Sequence, residues 1–84
     1  MLDLQETRIR LTITRSMRIR LEPWADEFEC PAGAKLEVVA RGPSGDTLEF
    51  EADGDSITIY GWAGSIVDVL RDGTSVFSIQ HRAG

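Results

Sequence analysis

Leu48-Glu49-Phe50-Glu51-Ala52-Asp53-Gly54-Asp55-Ser56-Ile57-Thr58-Ile59-Tyr60 is the stretch that decides the fold. Apolar and polar residues alternate on both sides of an Asp-Gly pair. Alternation marks a half-buried strand, because successive side chains point to opposite faces. Asp-Gly between two such runs is the strongest short-range hairpin signal. A two-residue loop at Asp53-Gly54 sets Phe50 opposite Ile57 and Leu48 opposite Ile59. Glu49, Glu51 and Thr58 then fall on the other face. The motif recurs where Ile66 to Arg71 runs into Asp72-Gly73 and returns through Thr74 to Ile79.

Upstream, Ile9, Leu11 and Ile13 share one parity, and Met17, Ile19 and Leu21 keep it. A three-residue loop at Thr14-Arg15-Ser16 would pair Ile13 with Met17, but it sets Arg10 opposite Arg20, and like charges directly opposite are unfavourable. One long bent strand is the alternative, and the sequence leaves both open. Pro23 cannot donate to a ladder and ends this run. Phe28 and Cys30 alternate with Glu27 and Glu29 in a short strand. Cys30-Pro31-Ala32-Gly33 fits a type I turn. Leu36, Val38 and Ala40 form the apolar parity of a fourth strand, closed by Gly42-Pro43-Ser44-Gly45. No run at i, i+3, i+4, i+7 is long enough for a helix. The pattern predicts an all-β chain, an antiparallel β-sandwich (jelly-roll-like) or partly closed small barrel of seven to eight strands.

The chain has 84 residues, enough for a single domain spanning residues 1–84. Hydrophobic residues make up 42%, which excludes general disorder. A formal net charge of −5 argues against nucleic acid and against an anionic membrane as partners. The uncharged stretch from Ser56 to Val67 is broken by Gly61 and Gly64 and is too short to span a bilayer. One cysteine permits no intrachain disulfide, and the start at Met1-Leu2-Asp3 lacks a secretory pattern, so a cytoplasmic protein is expected. Charge is uneven. Arginines dominate residues 1–21, and acids dominate residues 22–55.

Candidate chemistry is sparse. His81, the single histidine, stands four residues from the C-terminus, a poor place for a positioned imidazole. Cys30 falls on an apolar parity and reads as a core thiol. Glu51, Asp53 and Asp55 lack the spacing of a calcium loop, and Asp53-Gly54 is explained as a turn. No metal or cofactor is expected. Arg8, Arg10, Arg18 and Arg20 are expected on one face, as an anion site or, more ordinarily, paired with Glu27, Glu29, Glu37, Glu49 or Glu51. Trp24, Tyr60 and Trp62 lie in or beside connections. They either plug one end of the fold or form a binding patch. In the second hairpin, a two-residue turn sets Ile66 opposite Ile79. It puts Ile66, Leu70 and Phe77 on the core face with Asp68 among them. Val67, Val69 and Val76 are left on the other face. A bulge that rotates Asp68 outward is the ordinary way out.

Leu21-Glu22-Pro23-Trp24-Ala25-Asp26-Glu27-Phe28, Pro31-Ala32-Gly33 and Ile59-Tyr60-Gly61-Trp62-Ala63-Gly64 give the chain a resemblance to short, uncharacterised bacterial β proteins. Those proteins share a Glu-Pro-Trp stretch, a Pro-x-Gly turn and a glycine-flanked tryptophan corner. The resemblance implies a single β domain and no activity.

The functional expectation is a non-catalytic protein-interaction module, self-associating as a homo-oligomer through Val67, Val69 and Val76. The alternative is a small-ligand binder using Trp24, Tyr60 and Trp62 with Arg10 or Arg20.

Overall fold

In a computed structural model of the chain, residues 3–76 and the backbone of 81–82 are described. The described part is all-β. The strands are β1 (Leu4–Thr12), β2 (Met17–Glu22), β3 (Asp26–Cys30), β4 (Lys35–Pro43), β5 (Glu49–Asp53), β6 (Ser56–Tyr60), β7 (Ile66–Arg71), β8 (Thr74–Ser75) and β9 (His81–Arg82). They form two sheets that do not close into a barrel. Sheet A runs β1-β4-β7-β8, with β9 also pairing on β7. Sheet B runs β3-β2-β6-β5. One pair departs from the antiparallel expectation: β2 and β6 run parallel.

The first half of the chain is one folded ribbon. From Leu4–Pro43 to Thr12–Lys35, and again from Met17–Cys30 to Leu21–Asp26, every pair of partner numbers adds to the same total, 47. The register never slips. Its outer half lies in sheet A and its inner half in sheet B. At the bend, the Ile13 N–H donates to Ala34 O at 2.9 Å and the Gly33 N–H donates to Ile13 O at 2.6 Å. Gly33 sits at φ 90°, third in the turn Pro31–Ala34 that the Ala34 N–H closes onto Pro31 O. A positive φ at that position is a type II feature that favours glycine, so the turn lies one residue later than the type I reading. Thus β1 and β2 do not form a hairpin. They are one run bent at Ile13–Ser16, with Ile13 buried in the corner.

Both Asp-Gly motifs make two-residue turns, with one shift. In the first, Asp53 pairs with Ser56 and Phe50 with Ile59, so the loop is Gly54-Asp55, not Asp53-Gly54. Gly54 takes the first loop position at φ 59°, as a type II′ turn requires. A shift of two residues leaves every face assignment intact. In the second, Arg71 pairs with Thr74, and Asp72 and Gly73 have φ 49° and 88°, a type I′ turn. Ile66 pairs with Arg82 rather than Ile79. Phe77 and Ile79 lie outside the described residues.

The core between the sheets is built from Ile13, Ile19, Leu21, Leu36, Val38, Ile59, Val67 and Val69, all at most 2% exposed. This reverses the expected faces of β7. Val67 pairs with Ala40 and Val69 with Val38, on the inward side of β4. Val76 also packs against the core. The three valines are therefore not an open interface. Ile66, Asp68 and Leu70 face outward instead, without a bulge, and the Ser75 hydroxyl donates to Asp68 Oδ1 at 2.7 Å. The physical reason is Asp68. An unpaired carboxylate between the sheets costs several kcal/mol, far more than half-exposing Ile66 and Leu70. Phe28 of β3 shares a cleft with Thr74, Ser75 and Val76, so β3 and β8 border one side of the sandwich, and β1 and β5 border the other.

The assignment of faces is checked by truncation. Val69→Ala is expected to cost about 2 kcal/mol in urea unfolding, and Leu70→Ala clearly less. The opposite order would reverse the strand.

Candidate functional site

Sheet alternation sorts the charged residues onto two outer faces of different character. The outer face of sheet B carries Glu22, Glu27, Glu29, Glu49, Glu51 and Asp53 against Arg18 and Arg20. Arg18 pairs with Glu29 at 3.1 Å and Arg20 with Glu27 at 2.9 Å. The outer face of sheet A is mixed. Val39, Ile66 and Leu70 form a half-buried apolar strip beside Glu6, Arg8, Arg10, Glu37 and Arg41. Glu37 accepts from Arg8 at 2.8 Å and from Arg10 at 3.1 Å, and Glu6 accepts from Arg41 at 2.6 Å. The four arginines therefore do not share a face. Arg8 and Arg10 lie on sheet A, Arg18 and Arg20 on sheet B, and each is bound to a glutamate.

These pairs leave an electrostatic imprint. Glu6 is held below the ordinary glutamate value by its hydrogen bond and charge contact with Arg41, with a smaller contribution from Arg8. Glu37 is lowered first by its hydrogen bond from Arg10; burial opposes this, and the hydrogen bond and charge of Arg8 add to the lowering. Burial pushes the Cys30 thiol up, which suits an inert core sulfur rather than a nucleophile.

Trp62 is only 4% exposed and plugs one end of the sandwich, its indole N–H donating to Pro43 O at 2.9 Å. Trp24 packs against Gly61. A Cβ at Gly61 would lie 2.7 Å from the Trp24 ring and 2.8 Å from Ser65 Oγ. The Gly61 N–H also donates to Glu22 O at 2.9 Å. The Glu-Pro-Trp and Gly-Trp-x-Gly segments are thus two halves of one packed corner. Tyr60 points to the outer face of sheet B, where it shares a shallow recess with Arg20. Arg10 lies on the other sheet, beside a concavity of about 520 Å³ lined also by Leu11, Lys35, Glu37, Leu70 and Asp72. Tyr60 thus lines one recess with Trp62 and another with Arg20, and Arg10 lies apart from all three aromatics. Among the described residues no group of three or more His, Cys, Asp or Glu is placed to hold a metal ion, and no helix is long and apolar enough to cross a membrane.

What sequence reading missed is β1. It is an edge strand of sheet A and spans nine residues, roughly 30 Å. The ladder to β4 continues at both ends through odd-numbered residues, by Ser44 N–H to Asp3 O at 3.0 Å and by Ile13 N–H to Ala34 O at 2.9 Å. In an antiparallel ladder each residue turns its N–H and C=O to one side, and the sides alternate. The backbone groups of Leu4, Glu6, Arg8, Arg10 and Thr12 therefore point to the open edge. Native edges are ordinarily blunted by shortness, charged side chains, proline, a bulge or an inward-pointing charge, and of these β1 has only charged side chains, Glu6, Arg8 and Arg10 on its outer face. β3 and β5 have five residues each. β1 has no proline, no glycine, no bulge and no inward charge, its inward residues being Gln5, Thr7, Ile9 and Leu11. Leu4 at its start is 76% exposed.

No protein-family model matches the chain, and no curated protein or solved structure does so either.

Two measurements follow. Gly61→Ala is expected to lower unfolding stability by about 1–3 kcal/mol, because the methyl meets a ring fixed by packing. Lowered native pKa values at Glu6 and Glu37 mean that their contribution is complete above the ordinary value of 4.5 and is lost as pH falls through the lower native values. A Glu37→Gln variant should therefore show a smaller drop in urea midpoint over that acid range than the parent; an identical drop would remove Glu37 from the account.

Proposed function

We propose that the domain is a non-catalytic protein-interaction module that works by strand addition at the open edge of β1. The observation carrying this reading is the contrast among the described edges: β3 and β5 have five residues each, and β1 has nine in one regular run without proline, bulge or inward charge. An extended segment laid along β1 gains main-chain hydrogen bonds at alternate residues, while side chains on its two faces set specificity. Glu6, Arg8 and Arg10 line the outer face of that edge and favour a partner whose charges alternate with theirs. The acidic balance of sheet B favours a protein partner over nucleic acid. A buried lone thiol is in keeping with a reducing, cytoplasmic setting.

A synthetic peptide copying residues 4–12 serves as the probe. Its addition is expected to shift and protect the amides of Glu6, Arg8 and Arg10, and to leave those of Thr7 and Ile9 nearly unchanged. Arg8→Pro should weaken the peptide at least tenfold while the fold persists, because the N–H it removes faces the open edge and not β4. A peptide that binds without touching β1 amides, or fails to bind, overturns the reading.

A further inference from the structure

We propose that the strand added at β1 is β1 of a second copy, antiparallel, with the two-fold axis at Thr7. The inference rests on the strand-addition reading and names its occupant. A closed pairing of two identical edges needs a register that respects both backbone and charge. The backbone restricts it to registers in which even-numbered residues face even-numbered ones, since their N–H and C=O groups point outward. Centring on Thr7 sets Glu6 opposite Arg8 of the second copy, twice by symmetry, and Leu4 opposite Arg10. Centring on Arg8 sets that arginine against itself, and centring on Ile9 sets Arg8 against Arg10. Like charges directly opposite are unfavourable in a ladder, so the Thr7 register is favoured.

Two further features fit this pairing. Leu4 is the more exposed of the two large hydrophobics left open among the described residues. Arg10 has the most exposed side chain of the paired arginines, at 83%. Opposite one another, the aliphatic stem of Arg10 covers Leu4 while its guanidinium stays in water. Thr7 meets Thr7 at a non-hydrogen-bonded site, where threonine pairs are favourable. The product joins two copies of sheet A into one continuous sheet and removes both long edges at once. Pairing β1 with the acidic edge of β5 from another copy would also match charge, but it leaves a free edge at each end and grows without closing.

The register predicts a cross-link. At a non-hydrogen-bonded antiparallel pair the Cα atoms are about 4.5 Å apart, within disulfide range. Thr7→Cys is expected to give a covalent dimer on mild oxidation, and Ile9→Cys, whose counterpart is Gln5, is not. Cys30 is buried and does not compete. The unmodified protein should sediment as a monomer–dimer equilibrium with no larger species. Glu6→Arg and Arg8→Glu should each weaken self-association at least tenfold, while an equimolar mixture of the two variants regains a dimer, because each supplies the charge the other lacks. Circular dichroism of both variants confirms that they fold. A strict monomer, open-ended oligomers, or cross-linking from Ile9→Cys as readily as from Thr7→Cys overturns the inference. If the copied β1 peptide still protects Glu6, Arg8 and Arg10 while the whole chain stays monomeric, only the second copy is excluded. If both fail, the strand-addition reading falls with it.

Discussion

Two hydrogen bonds at the bend of the N-terminal ribbon set the rest of the structure: Ile13 N–H to Ala34 O, and Gly33 N–H to Ile13 O. They keep the two arms in one register while the ribbon passes from sheet A into sheet B. Without them the alternation of Ile9, Leu11, Ile13, Met17, Ile19 and Leu21 would bury one side of a single flat hairpin. With them the same alternation is folded on itself, and both halves contribute to one core. Gly33 at φ 90° supplies the backbone turn, and Ile13 fills the corner. β6 then pairs parallel to β2 and β7 antiparallel to β4, so the later strands add to sheets already laid out by the ribbon.

Much of this was legible as parity and little as partnership. Alternation placed Leu36, Val38 and Ala40 inward, and the Asp-Gly motifs located both hairpin turns. The first register was misread by two residues because either Asp53-Gly54 or Gly54-Asp55 satisfies the local pattern, and a two-residue slip changes no face. The bend was illegible for a related reason. A strand that changes sheet without changing parity looks the same as one that does not. That is why Arg8 and Arg10, in phase with Arg18 and Arg20, were expected on the same face as them and lie on the opposite sheet.

β7 was misread although the answer was present in one residue. Val67 and Val69 on one parity and Ile66 and Leu70 on the other are nearly balanced in transfer energy, so hydrophobicity alone cannot choose. Asp68 can. Desolvating one carboxylate outweighs the difference between two pairs of aliphatic side chains, and the strand turns its charged parity to water. Where both faces of a strand are apolar, a single ionisable residue is the deciding term. Trp62 and Trp24 sit in connections, and both pack there: Trp62 donates to Pro43 O and the Trp24 ring lies against Gly61.

The constant register of the ribbon also accounts for its open edge. A bulge would blunt β1, but a bulge shifts every later partner by one residue and would turn Ile19 and Leu21 out of the core. Proline at an inward-bonding position would break the ladder to β4. An inward charge at Thr7 or Ile9 would sit between the sheets. A bulge and an inward charge are thus in conflict with the single register that folds the domain, whereas a proline is compatible with it only at an outward-bonding position such as Arg8. What remains is the outer face, and there β1 carries Glu6, Arg8 and Arg10 in a sequence that repels a shifted copy of itself and matches an antiparallel one centred on Thr7. The edge is left open by the fold and made selective by its charges.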